Sequence, residues 1–142
     1  MADTYKSYTM ADLAPGVSES FTAVVTPEKM EQFYALTGDC SPIHRDADYA
    51  AGRGFAGRVV YGMLGASLVS TLAGVYLPGE HCLLHEVDAK FVKPVFIGDT
   101  LTVTGKVEEC SETFREITVK YTITNQDGKK VTRGVYKAGL AK

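Results

Sequence analysis

The order of apolar residues predicts an α+β fold, with one long helix that lacks a charged side and an antiparallel meander of strands after it. Two observations carry this. No residue between Arg58 and Glu80 is charged, and Leu64, Leu68, Leu72 and Val75 recur there at helical spacing. Beyond Glu80, four segments alternate apolar with polar residues, as strands do when one face is buried and the other meets water. A curved sheet wrapped around the helix satisfies both, because it covers a helix with no polar side.

The elements follow in order. Phe21, Ala23 and Val25 predict a first strand. Thr26-Pro27-Glu28 then supplies an N-cap, a proline in the first helical position and an acidic first turn. Met30, Phe33 and Tyr34 form the apolar stripe of the helix that follows, which ends near Gly38. Asp46 to Gly54, with Tyr49, Ala50 and Ala51, predicts a short helix or an irregular excursion. The uncharged helix runs from Gly62 to about Tyr76 and is closed by Pro78-Gly79. The four strands centre on Val87, Ala89 and Phe91; on Leu101, Val103 and Val107; on Ile117 to Ile123; and on Val131 and Val135. Asn125-Gln126-Asp127-Gly128 is the hairpin turn between the last two.

Composition bounds the function. At 142 residues, 45% apolar and 23% charged, the sequence predicts one soluble domain over residues 1–142. The formal net charge is −2 with acids and bases interleaved, so no basic stripe points to nucleic acid. Gly62, Gly65, Ser67, Ser70, Thr71 and Gly74 interrupt the uncharged stretch, which favours a helix buried in a soluble core over a membrane span. Cys40, Cys82 and Cys110 fit neither a zinc site nor a redox pair, and free thiols in a reducing compartment account for them. The N-terminal residues lack an apolar targeting region, so a cytoplasmic protein is expected. His81 and His85 lack spaced partners for a metal, and no metal or cofactor is expected.

One stretch has the residue types of an acid-base site. In Thr37-Gly38-Asp39-Cys40-Ser41-Pro42-Ile43-His44 a carboxylate and an imidazole share a segment unsuited to a regular helix, because Pro42 biases Ser41 away from helical geometry. Two readings are open. The loop folds back so that Asp39 and His44 hold and activate one water. Alternatively it is a helix-exit turn, with Asp39 bonding backbone amides and His44 partly buried.

The segment Phe33 to His44 resembles the signature of the R-specific enoyl-CoA hydratases, the MaoC-like branch of the hot-dog superfamily. That signature runs aromatic, spacer, Ser/Thr, small or acidic residue, Asp, any residue, Asn, Pro, aliphatic, His. The resemblance continues through Ala50-Ala51, Phe55 to Leu64 and Ala66 to Ser70, and resumes from Lys90 to Leu101. It implies a hot-dog fold and a trans-2-enoyl thioester substrate, carried by coenzyme A or an acyl carrier protein. Asp39 and His44 would bind the water that attacks C3, and the reverse reaction would dehydrate a (3R)-hydroxyacyl thioester. Gly62, at the start of the central helix, would offer its N–H to the oxyanion, or else be a packing glycine. Ser70 would support the pair from the helix, or bond back to the preceding turn. Ser41, Tyr61 and Met63 would contact substrate. Cys40 occupies the variable position of the signature, although a thiol beside His44 could also be a nucleophile.

Many thioesterases and fatty-acid-synthesis dehydratases of the superfamily carry an acidic residue on the central helix. This helix has none, which leaves Asp39 as the available carboxylate. Two departures stand out: the family usually has Asn where this chain has Ser41, and His where it has Tyr61. They motivate one alternative, a non-catalytic acyl-CoA-binding protein; an acyl-CoA thioesterase is a third reading. Lys90 and Lys93 would either meet the phosphates of a thioester carrier or be solvated. An open sheet edge implies a homodimer, with the site near its interface.

Overall fold

Local chemistry sets the first elements in the computed structural model, which describes residues 4–142. Strand β1 (Ser18–Val24) leads into α1 (Pro27–Thr37), where Thr26 Oγ1 caps the helix by accepting from the Lys29 N–H at 3.3 Å. Gly38 ends α1 in a left-handed conformation at φ 71°, which a glycine adopts without steric cost. Two short helices follow, α2 (Pro42–Arg45) and α3 (Ala47–Gly52). The second is capped by the Asp46 carboxylate, which accepts from the N–H groups of Asp48 and Tyr49.

The helical turn at α2 corrects the expectation that this segment is unsuited to a helix. Pro42 does keep Ser41 extended, at ψ 127°, but its own fixed φ suits the first position of a helical turn. The central helix α4 (Gly62–Thr71) is regular for ten residues and then widens into a π-helical turn over Leu72–Tyr76. Among the described residues no helix is long and apolar enough to cross a membrane.

The sheet is antiparallel, with strand order β1-β4-β5-β6-β2, where β4 is Thr100–Ser111, β5 is Glu116–Thr124, β6 is Lys130–Leu140 and β2 is Cys82–Val87. A two-residue strand, β3 (Lys90–Phe91), also pairs with β6. The registers Phe21↔Val103, Val103↔Ile123 and Val119↔Tyr136 line up one apolar face across four strands. That face closes on Leu64, Val69, Leu72 and Ala73 of the central helix, and all four are buried. The sheet therefore wraps the helix, as its uncharged surface requires.

The segment expected as one strand around Val87, Ala89 and Phe91 is instead two, giving six strands among the described residues where five were expected. Asp88 is the break. Its N–H donates to the Val135 carbonyl and its carboxylate accepts from the Val135 N–H, both at 2.9 Å. The buried Tyr121 hydroxyl, its pKa pushed up to about 12 by burial, donates to the Asp88 carbonyl at 2.5 Å. A side chain thus takes over a ladder bond, and the chain bends between β2 and β3.

Candidate active site

The site begins with the exit from α1. The Gly38 N–H donates to the Tyr34 carbonyl at 2.7 Å and turns the chain. The Thr37 hydroxyl donates to the Phe33 carbonyl at 2.8 Å and accepts from the Asp39 N–H at 3.2 Å. Asp39 Oδ1 accepts from the Ser41 N–H at 3.0 Å, closing a turn that fixes the carboxylate and leaves its second oxygen free of protein hydrogen bonds among the described residues. Asp39 therefore bonds a backbone amide, as a helix-exit turn requires, and also lines a cavity.

His44 lies one turn further on, in α2. Its Nδ1 is 2.7 Å from the Val59 carbonyl oxygen. A carbonyl only accepts, so Nδ1 carries a proton, and in the neutral ring Nε2 presents a lone pair. Among the described residues Nε2 has no hydrogen-bond partner. Arg58 Nε donates to the His44 carbonyl at 2.8 Å. Arg45 and Arg58 both reach Glu31 of α1, at 2.8 and 3.5 Å, and Arg45 lies 4.0 Å over the Tyr34 ring. The hydrogen bond from Arg45 holds the Glu31 carboxyl below the usual carboxylate range. These contacts tie the His44 turn back onto the helix that delivers Asp39.

Asp39 and His44 line one cavity of about 940 Å³ with Tyr61, Gly62, Met63 and Ser70, so six of the seven residues expected at the site share it. Ser41 is the seventh and does not line the cavity; it is exposed at the head of α2, and its N–H serves Asp39. The exposed Cys40 is not among the lining residues either. The Gly62 and Met63 N–H groups, in the first turn of α4, have no partner among the described residues and lie at the positive end of the helix dipole, and both residues line the cavity. A Cβ on Gly62 would stand 3.0 Å from Phe91 Cδ1, so the position is also tightly packed. Ser70 Oγ makes no hydrogen bond among the described residues. Ser67 is the residue that bonds back along the helix, to the Leu64 carbonyl at 2.5 Å.

Tyr61 sits deeper than expected. It is only 2% exposed, its hydroxyl donates to the Asp39 carbonyl at 2.8 Å, and its ring lies 4.3 Å from His44 and 4.7 Å from Phe33. Burial raises the phenol above its ordinary pKa, against a smaller opposing pull from Arg45, so it remains a donor. Tyr61 is a strut between the Asp39 loop and the His44 ring. The far wall of the cavity comes from Leu84, Val87, Ala89 and Phe91. A register shift between Leu84 and Glu86 puts Leu84 and Val87, three residues apart, on one side of the strand. The alternation rule could not have found Leu84. Lys93 borders a neighbouring cavity of about 290 Å³, and Lys90 faces elsewhere. Among the described residues no three His, Cys, Asp or Glu side chains gather as a metal site.

Residues 13–129 match the family model described as "MaoC like domain". The chain is 32% identical over 133 residues to the (R)-specific enoyl-CoA hydratase of Rhodospirillum rubrum, spanning 94% of this chain and 92% of that protein. It superposes on the unliganded R-hydratase PhaJ1 from Pseudomonas aeruginosa with a TM-score of 0.91 and 29% identity, covering 97% of this chain and 88% of that one. Against the (R)-hydratase from Aeromonas caviae involved in PHA biosynthesis the TM-score is 0.86 at 31% identity, with 90% and 97% covered.

Proposed function

This chain belongs to the MaoC-like domain family, and from that premise we propose that it adds water reversibly to a trans-2-enoyl thioester, forming the (3R)-hydroxyacyl thioester. Its fold is the hot-dog fold, and the protein is an enzyme of the hydro-lyase class. The observation that carries the reading is the shared cavity: Asp39 and His44 both face it beside the unpartnered amides at the head of α4.

In this reading one water sits between the free Asp39 oxygen and His44 Nε2. The pair takes a proton from the water as its oxygen bonds to C3. The C2–C3 π electrons move toward the thioester carbonyl, whose developing negative charge is met by the Gly62 N–H. A proton returned from the pair to C2, on the same face, completes the addition with no net gain or loss of protons. General acid-base help of this kind is worth about 10²–10⁴ in rate. Met63 and Phe91 flank the acyl chain, Ser70 lies along the same wall, and the reaction calls for no metal or cofactor.

A second copy of the chain completes the site. β2 is an edge strand, and Leu83, Leu84 and Val87 on it are 53%, 44% and 42% exposed. An edge so apolar invites pairing, and a two-fold partner would cover it while walling the cavity that Leu84 and Val87 line. The free thiols of Cys40, Cys82 and Cys110 suit a reducing compartment such as the cytoplasm.

The test is direct. Purified protein given crotonyl-CoA and longer trans-2-enoyl-CoA thioesters should consume the conjugated double bond and yield the 3R alcohol. Release of free thiol without hydration, or binding of acyl-CoA without turnover at every chain length, would overturn the assignment.

A further inference from the structure

The part of the cavity wall that β2 supplies depends on an irregularity in that strand. Leu84 is registered opposite Ala138 and Val87 opposite Tyr136, so residues two apart on β6 meet residues three apart on β2. Ala138 and Tyr136 are both buried, and Leu84 and Val87 both line the cavity. In an unbroken strand an odd separation would send Leu84 and Val87 to opposite faces. His85 is the extra residue, without a partner in the ladder, that keeps them on one face.

The His85 side chain is held as an ordinary surface histidine is not. Its Nδ1 lies 2.7 Å from Glu116 Oε2, and because a carboxylate only accepts, the ring is the donor. Glu116 belongs to β5, and β6 lies between β5 and β2, so the imidazole spans a whole strand. It crosses at Gly139, which stands in one cross-strand row with Leu83 and Glu116. The next row is Leu84, Ala138 and Ile117, whose last two members are buried, so the Gly139 row faces away from the core. A Cβ on Gly139 would stand 2.6 Å from His85 Cε1 and 2.7 Å from Nε2, so the ring fills the space of a missing side chain. Both partners are partly exposed, and their charges alone would hold little. The seat in the strand adds the constraint. We propose that His85, laid across Gly139 and tied to Glu116, is a positioning residue that fixes the bulge and so keeps Leu84 and Val87 together on the wall that receives the acyl chain. This role rests on the enoyl-thioester reading and deepens it, by assigning control of acyl-chain fit to three residues outside the cavity.

The experiment compares crotonyl-CoA with trans-2-octenoyl-CoA in wild type and in His85→Ala, Gly139→Ala, Glu116→Ala and Glu116→Gln, with circular dichroism and thermal unfolding confirming each fold. In the three alanine variants KM for the octenoyl thioester should rise about tenfold and KM for crotonyl-CoA far less, because the longer chain covers more of the displaced wall. The kcat for both should stay close to wild type, as expected when a contact common to ground and transition states is lost. Glu116→Gln keeps an oxygen that accepts from the ring and should keep the wild-type chain-length profile. Nuclear Overhauser contacts from Leu84 to Ala138 and from Val87 to Tyr136 read the bulge without turnover. Both should be present in wild type and in Glu116→Gln, and at least one should be lost in His85→Ala. An unchanged octenoyl KM in His85→Ala and Gly139→Ala would overturn the proposal. So would an equal fall in kcat for both thioesters, which would report general loosening of the fold. Were wild type inert on both thioesters, the hydratase reading would fail, and the two contacts alone would decide: loss in His85→Ala would still support His85 as the pin of the bulge, and retention would overturn it.

Discussion

Tyr61 holds three groups at once: the Asp39 carbonyl through its hydroxyl, and the His44 and Phe33 rings through its face. In Tyr61→Phe the rings remain packed and only the 2.8 Å hydrogen bond is lost. Unfolding stability should fall by about 1 kcal/mol, the ordinary worth of such a bond. If the strut positions the Asp39 loop, kcat should fall about three- to tenfold with KM little changed, because misplacement by a fraction of an ångström weakens attack more than binding. Lost stability with kcat intact would make Tyr61 a packing residue only. That Asp39, His44 and Gly62 would share one cavity was legible in the sequence, because the first two sit on one short loop and the third opens the uncharged helix. The depth of Tyr61 could not be named, since it depends on Phe33, contributed by a different helix. Ser41 misled for a related reason: being next in line to Asp39 does not make a side chain point the same way, and here only its N–H contributes.

At the scale of elements, α1 and the central helix were legible because their signals are local: the Thr26 cap, Pro27, the left-handed Gly38, and an uncharged helical stripe. The strand after that helix was not, since Asp88 leaves the ladder to bond Val135, a partner far along the chain. The bulge at His85 was hidden in the same way, although it determines which β2 residues reach the cavity. That edge carries its own prediction. Leu83 is half exposed and does not line the cavity, so Leu83→Glu should act through pairing alone. Sedimentation velocity should find the wild type as a dimer and Leu83→Glu shifted toward monomer, with hydration lowered in parallel as the partner's wall is lost. A wild type that is monomeric and fully active would refute the interface.

For the whole molecule, the hot-dog arrangement follows from one constraint: a helix without a polar side must be enclosed, and an antiparallel meander with one apolar face can enclose it. The enclosure places the head of that helix, with its unpartnered amides, beside a loop that carries the acid and the imidazole. The fold and the meeting of that loop with the helix head were thus legible together, whereas Leu84 on the far wall was not, because a register shift in β2 brings it there. The claim on which the account turns is that Asp39 and His44 act on a single water as a unit. A double-mutant cycle on crotonyl-CoA hydration tests it most directly. Asp39→Asn and His44→Ala should each lower kcat/KM by at least about 10², and the double variant should be little worse than either alone. Losses that simply multiply, or a single variant with near wild-type turnover, would contradict it.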